Sequence, residues 1–199
     1  MPKPVLAYIR AIDAMNRFIG RIAMYLIFVL VGVLLWSSIS KTLFSPSHWT
    51  LETAQFVMVA YYVLGGPYSI QLGSNVRMDL FYGGWSNKQK AWMDAFTVFF
   101  LMFYLGVLLY GGLSSFAYSL GQPYNVGTYE FFGDLIRTLF TQGFDAAGEK
   151  LGHLERSSTA WRPHLWPVKS LLCLGIFLML LQCLAELFRD LGRIKGEAI

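Results

Sequence analysis

Four long intervals of the sequence contain no Asp, Glu, Lys or Arg: residues 22–40, 53–76, 95–129 and 170–185. A helix needs about 20 mostly apolar residues to cross a hydrocarbon core of about 30 Å. The first three intervals reach that length, and the fourth does so because Lys169 can extend its charge towards the headgroups. We therefore predict an all-α membrane protein with four transmembrane helices, near residues 22–42, 51–73, 92–116 and 165–188.

The composition also indicates a membrane protein. Hydrophobic residues make up 55% of the chain and charged residues only 14%, and the mean hydropathy of +0.47 is above that of soluble domains. The first apolar interval could be a cleaved signal peptide, but the segment behind it, SSISKTLFSPS at 37–47, is a poor cleavage site. We expect a retained helix there and a single membrane domain over residues 1–199.

Lysine and arginine residues set the expected orientation. Ten of them fall before the first span, between the second and third spans, and in the tail: Lys3, Arg10, Arg17, Arg21, Arg77, Lys88, Lys90, Arg189, Arg193 and Lys195. The positive-inside rule places these segments, and with them both termini, in the cytoplasm. The net charge of +4 then indicates topology and affinity for anionic lipids, and no nucleic-acid partner.

The beginning of the chain is amphipathic. Apolar side chains recur at helical spacing on one face, while Arg10, Asp13 and Arg17 gather on another. This pattern predicts an interfacial helix over residues 1–20 that bends into the first span at Gly20. The alternative is a plain cytoplasmic extension of that span.

Gly65, Gly66 and Pro67 interrupt the second predicted span. Pro67 has no N–H to donate to the carbonyl of Val63, so a kink or local unwinding is expected there. Such a break persists in lipid only where neighbouring helices cover it, and glycines allow the close approach. Packing within the chain and an interface with a partner explain these residues equally well.

Side chains for catalysis or cofactor binding are scarce. The three histidines lie outside the predicted spans, so no pair of them can hold a haem within the bilayer. Cys173 and Cys183 would be about 15 Å apart along one helix, too far for a disulfide. The spans also lack the midplane ionisable groups of ion-coupled carriers. We therefore expect a non-catalytic subunit, with no metal or cofactor of its own, that does not move a charged solute alone.

Four motifs occur in order along the chain: Trp49-Thr-Leu-Glu52, YYVLGGPY at 61–68, GSNVRMD at 73–79 and KQKAWMD at 88–94. Together with the basic N-terminus, this order resembles the small membrane (Q, DctQ-like) subunit of TRAP transporters, the tripartite ATP-independent periplasmic carriers. The resemblance covers residues 1–118 and 165–190, and Asn75 stands where the family usually has His.

The resemblance implies a division of work between subunits. In this family a large multi-span subunit carries the substrate and sodium sites and moves like an elevator, and a periplasmic protein delivers a small organic acid. The small subunit is a fixed scaffold in the bacterial inner membrane, and no cofactor is implied for it. Two other classes fit the composition: the membrane anchor of a redox enzyme, and a self-assembling structural tetraspan protein.

Interface candidates follow from the same motifs. Arg77, at the cytoplasmic end of the second span, can hold a lipid phosphate or a partner carbonyl, and Asp79 can orient it. Glu52, behind the predicted cap Thr50, suits either the helix N-terminus or a partner contact. The predicted lipid or partner interface consists of Trp49, Glu52, Gly65, Gly66, Pro67, Asn75, Arg77 and Asp79.

The third predicted loop, residues 119–164, is longer than is usual in the family. Its pattern predicts one amphipathic helix over residues 132–140 and a second over 146–154, capped by Asp145. We expect this periplasmic insertion either to lie on the leaflet or to dock the binding protein or another copy. Its candidate docking charges are Glu130, Asp134, Arg137, Glu149, Lys150, Glu155 and Arg156.

Overall fold

The structure, a computed structural model, describes residues 2–73, 84 and 86–195. Five helices account for most of them: α1 Lys3–Leu43, α2 Thr50–Gln71, α3 Asn87–Ser119, α4 Thr128–Glu149 and α5 Trp166–Lys195. These described residues contain no β-strand, and an isolated bridge joins Arg156 to His164. The predicted all-α class is confirmed.

α1 is one helix of 41 residues, about 60 Å long at 1.5 Å per residue. The predicted bend at Gly20, between an interfacial helix and the first span, is wrong because the helix continues through that residue. Gly20 serves packing instead, since a Cβ atom there would lie 2.5 Å from the Cβ atom of Tyr68 on α2. The glycine is needed for close contact between two helices, not for a change of direction.

Three of the described helices are long and apolar enough to cross a membrane: α1, residues Gln89–Ser119 of α3, and α5. α2 is not among them. Its 22 residues would extend about 33 Å, but they include Glu52, two glutamines and the Gly-Gly-Pro stretch, which lower its apolar content. By length, α2 could cross a membrane as well as α1, α3 and α5 could. Its composition is less apolar than theirs.

The bundle consists of α1, α2, α5 and α3, packed side by side in that order, and α1 also touches α5. α1 and α2 are antiparallel, because Gly20 meets Tyr68 and Ser37 bonds to Thr50. α5 is parallel to α2 and antiparallel to α3, as shown by the pairs Val63 with Gly175, Gly66 with Met179, Gly112 with Cys173, and Ser115 with Lys169.

These directions give the bundle two distinct ends. The start of α1 and the end of α5 lie together at one end, which we call the terminal end. The other, the loop end, holds the turn between α1 and α2 and the connection from α3 to α5. Between the ends, Leu105, Ile176 and Cys183 form a buried apolar cluster where α3 meets α5.

The connection between α3 and α5 packs onto the loop end of α3. Ala117, Leu120 and Phe131 are buried there, flanked by six partly buried apolar residues: Phe116, Val126, Phe132, Leu135, Leu151 and Leu154. α4 is broken at Gly143, whose φ of 90° lies in the region that favours glycine. The predicted cap Asp145 is wrong because this residue lies within α4, and the second helical part ends at Glu149, not at 154.

The contact between α2 and α5 can be tested at Gly175. A Cβ atom on Gly175 would lie 2.1 Å from Cγ1 of Val63 and 2.8 Å from its carbonyl oxygen. We expect Gly175→Ala to lower the stability of the detergent-purified protein by about 1–3 kcal/mol, because overpacking forces the helices apart. The measurement is thermal unfolding followed by fluorescence and size exclusion.

Gly106→Ala is the matched control, since a Cβ atom on that helical glycine meets nothing within 4 Å. The control should leave the melting temperature unchanged or raise it, because alanine favours helix more than glycine does. Equal melting temperatures for the two variants would contradict close packing at Gly175.

Candidate functional site

The middle of α2 keeps its helical form through Pro67, so of the two predicted outcomes the local unwinding is wrong and the kink stays a prediction. Pro67 leaves the carbonyl of Val63 without its usual donor. Gly175 of α5 lies against this carbonyl, where a Cβ atom would be only 2.8 Å from the oxygen. α5 therefore covers the weakened turn, as required where no water can bind a free backbone group.

The two glycines of this stretch are used differently. A Cβ atom on Gly66 would lie 2.8 Å from Sδ of Met179 on α5, whereas one on Gly65 would meet no atom of the described residues within 4 Å. Gly66 thus fits the interpretation of packing within the chain. Gly65 borders open space, where another molecule can approach.

Hydroxyl groups fasten the start of α2 to the end of α1. The side-chain oxygen of Thr50 donates to Oγ of Ser37 at 3.2 Å, and it also lies 3.0 Å from Oγ of Ser47. Oγ of Ser47 is in turn 3.2 Å from Oγ of Ser40. The predicted cap Thr50 is wrong, because the cap position belongs to Trp49, which makes no side-chain capping bond. Trp49 itself is exposed at this end.

Glu52 links α2 to the long connection. Its side chain is only 3% exposed, and Oε1 accepts a hydrogen bond of 2.9 Å from Oγ of Ser157. Oε2 of Glu52 is buried with no hydrogen-bond partner among the described residues, as is Nδ1 of His164. Ser157 is held by its own backbone, which donates to the carbonyl of Pro163. In this structure Glu52 thus faces the connection and not an open surface.

A second link at the loop end joins Lys169 to Glu155 through an ion pair. Lys169 also donates to the carbonyl of Ser115 on α3 at 3.2 Å, and its ammonium lies 5.8 Å from the ring centroid of Tyr118. Glu155, predicted as a docking charge, is therefore already paired with Lys169 within the protein. The other six candidates lie on the exposed surface: Glu130, Asp134, Arg137, Glu149, Lys150 and Arg156.

The terminal end holds a polar network that the sequence did not predict. Nδ2 of Asn16, a buried side chain, donates to Oε1 of Gln182 at 2.7 Å. Nε2 of Gln182 donates to Asp13 and Glu186, both at 3.1 Å. Arg189 forms ion pairs with the same two carboxylates. One cation and two amides therefore join α1 to α5.

Spacing shows which residues of this network share a helix face, but not which residues pair. Asp13 and Asn16 are three residues apart, and Gln182, Glu186 and Arg189 follow at intervals of four and three, so each set shares one helix face. The sequence pattern predicted that the charged face of α1 lies at the membrane surface. It had no means of showing that this face meets α5.

Asn75, Arg77 and Asp79 lie outside the residues that the structure describes. Their predicted interface role stays a prediction. Within the described residues, no three His, Cys, Asp or Glu side chains are placed to bind a metal ion. Both cysteines, Cys173 and Cys183, are buried and free.

The fold and these contacts define a class of protein: an all-helical membrane protein whose polar side chains hold its helices together at their two ends. The family of tripartite ATP-independent periplasmic transporters, DctQ component, matches residues 30–144, which is more than half of the 199 residues. The chain belongs to this family, whose members are the small membrane subunits of TRAP transporters. Neither a curated protein nor a solved structure matches it.

The family match covers a different range of residues from the resemblance seen in the motifs. It begins within α1 and continues past residue 118 to the break in α4, and so includes residues 119–144 of the long connection. It does not include residues 165–190. The recognised part therefore contains α2 and α3 in full.

Arg189 is the residue on which to test the terminal network. Arg189→Ala leaves Asp13 and Glu186, which are largely buried, without their shared cation. We expect a loss of about 1–3 kcal/mol in stability, the cost of an unpaired buried polar group. The stability of Arg189→Lys should lie between those of wild type and Arg189→Ala, because an ammonium lacks the planar fork that reaches both carboxylates.

Arg17→Ala is the control, since Arg17 is an exposed arginine on α1. Thermal unfolding of the four proteins, wild type included, gives the comparison. A melting temperature for Arg189→Ala that equals that of Arg17→Ala would show that the network does not stabilise the bundle.

Proposed function

We propose that this chain is a non-catalytic scaffold in a TRAP-type secondary transporter. It would support a large elevator-type subunit during sodium-driven uptake of a small organic acid, which a periplasmic binding protein delivers. The sodium and substrate sites would belong to the large subunit. Membership of the DctQ family supports the setting, and the distribution of polar groups supports the role.

The observation that carries the proposal is where the polar groups lie. The described ion pairs and long-range side-chain bonds cluster at the terminal end and the loop end, and each joins one part of this chain to another. Residues 22–40 and 95–129 carry no Asp, Glu, Lys or Arg. A carrier of charged solutes needs groups that face a pathway near the membrane centre. A scaffold needs helices that stay fixed, which is what contacts at both ends provide.

We also propose that α2 is a fourth span and that both termini are cytoplasmic. The antiparallel pairing of α2 with α1, and the common end shared by the start of α1 and the end of α5, support an even number of crossings. The ten basic residues of the terminal segments and the short loop support the orientation.

The interface with lipids or the large subunit would include the exposed Trp49, the open side of Gly65 and, at the cytoplasmic boundary, Asn75, Arg77 and Asp79. Glu52, Gly66 and Pro67 would act from within, by fixing the shape that the partner meets. The exposed charges of α4 would form part of a transient docking surface for the binding protein, since such interfaces carry polar rims.

Purification and reconstitution test the scaffold role. A tag on this chain should recover a much larger multi-span partner, and the two together in proteoliposomes should take up substrate in response to sodium and loaded binding protein. This chain alone should transport nothing. Sodium-driven uptake by this chain alone would refute the proposal, and recovery of a haem or quinone enzyme would indicate the redox-anchor class. Recovery of nothing but further copies would indicate a self-assembling protein.

Labelling in intact cells tests the orientation. Lys150→Cys, at an exposed position of the long connection, should react with a membrane-impermeant maleimide. Lys3→Cys and Lys195→Cys, both exposed near the termini, should react only after permeabilisation. The native cysteines are buried, so the unsubstituted chain gives the background. Labelling of the terminal positions in intact cells would reverse the proposed topology.

Charge neutralisation tests docking at α4. Residues 128–150 contain four acidic and two basic side chains, so a basic surface on the binding protein is favoured. Asp134→Asn with Glu149→Gln should slow uptake at low concentrations of loaded binding protein, and added salt should reduce the difference. Arg137→Gln with Lys150→Gln, the matched pair of opposite sign, should not slow it. Uptake equal to wild type in both double variants at all salt concentrations would exclude docking through these charges.

A further inference from the structure

The start of α4 packs against α3. The ring of Tyr129 is 6.2 Å from that of Tyr110, and the ring of Phe132 is 5.4 Å from that of Phe116, measured between centroids. Tyr110 precedes the end of α3 at Ser119 by nine residues, about 13 Å along the helix. The first turn of α4 therefore reaches back beside the apolar part of α3.

The ion pair of Lys169 with Glu155 provides a reference level along α3 for the position of Tyr129. Lys169 bonds to the carbonyl of Ser115, so charged groups reach the level of Ser115 on α3. Tyr110 lies five residues further from the loop end, about 7 Å deeper at 1.5 Å per residue. Tyr129, which contacts Tyr110, therefore reaches past the level of this ion pair, while the neighbouring Glu130 is exposed on the polar side of α4.

The first part of α4 has three faces. One face packs on α3 through Phe131 and Phe132. A second is polar and exposed, with Asp134 and Thr141. The third is apolar and exposed, and we call it the aromatic strip: Tyr129, Ile136 and Phe140, which recur at intervals of seven and four residues and are 65%, 53% and 84% exposed. At 100° per residue the aromatic strip adjoins the packed face and lies away from the polar one.

We propose that α4 is an interfacial helix whose aromatic strip is inserted among the lipid acyl chains of the leaflet at the loop end. The strip continues the apolar surface of α3, where Phe103, Val107 and Tyr110 are exposed on a helix long enough to span the membrane.

Lipid fits this surface better than a protein partner does. Three side chains in one row make a narrow strip, well short of the roughly 1,200 Å² that a specific protein interface buries. An amphipathic helix needs only its apolar face to bind a bilayer. Because residues 128–150 carry four acidic and two basic side chains, attraction to anionic headgroups would not hold this helix in place. Apolar insertion alone carries the contact.

Spin labels on single cysteines test the insertion in the full chain, reconstituted in vesicles of phosphatidylethanolamine and phosphatidylglycerol. Labels at Ile136→Cys and Phe140→Cys should collide with oxygen, which concentrates in the acyl region, and be shielded from a water-soluble nickel chelate. Labels at Asp134→Cys and Thr141→Cys, exposed on the polar face of the same helix, should show the reverse. We expect the ratio of oxygen to nickel accessibility to differ several-fold between the two sets.

The exposed fractions at these four positions allow the substitutions without loss of packing, and elution identical to wild type confirms the fold. The unsubstituted chain, with buried cysteines, gives the background signal. Nickel access at Phe140→Cys equal to that at Asp134→Cys would overturn the proposal, because the aromatic strip would then face water. Shielding from both reagents would also overturn it, since a protein surface, such as a second copy, would then cover the strip.

A second vesicle composition separates apolar insertion from electrostatic attachment. In vesicles of phosphatidylcholine alone, which carry no net charge, the labels at Ile136→Cys and Phe140→Cys should keep their high oxygen and low nickel accessibility. Loss of that pattern without phosphatidylglycerol would show that charge, not the aromatic strip, holds the helix at the membrane, and would refute the mechanism.

Discussion

Pro67 has no N–H, so the carbonyl of Val63 on α2 loses its usual helical donor, and such a group away from water must be covered by another part of the protein. The carbonyl of Val63 is covered because Gly175 allows α5 to approach it without a side chain in between. This contact, with Met179 against Gly66, places α5 beside α2 and parallel to it. α1 packs on α2 and also contacts α5, and α3 packs on α5, so the contact between α2 and α5 connects the two other helices of the bundle.

The polar side chains complete the arrangement at the two ends, where charge is tolerated. At the terminal end Arg189 joins Asp13 to Glu186, and buried amides extend the network. At the loop end Lys169 binds Glu155, and Glu52 accepts from a serine of the connection. The bonds of Arg189 to Asp13, of Asn16 to Gln182 and of Ser157 to Glu52 join segments that are more than 100 residues apart in the sequence. A protein held in this way has fixed helix positions, which is the property that a scaffold beside a moving subunit requires.

Several sequence predictions were wrong for related physical reasons. Gly20 and Pro67 have strong local preferences for a bend or a break, yet α1 and α2 continue through both because neighbouring side chains and backbone fill the adjacent space. Thr50 and Asp145 are good capping residues, but Thr50 bonds instead to Ser37 of the preceding helix and Asp145 lies inside α4. For Gly20, Pro67 and Thr50 the contact that replaces the local preference comes from another helix.

The sequence by itself determined the all-α class, the apolar segments that became α1, α3 and α5, and the motifs that indicate the DctQ family, because these depend on composition and on order along one chain. Only the tertiary structure decided which polar residues meet. Asp13 and Arg189 are 176 residues apart, and Glu52 and Ser157 are 105 apart. No local pattern encodes such pairs, because their energy arises only when helix packing removes both side chains from water.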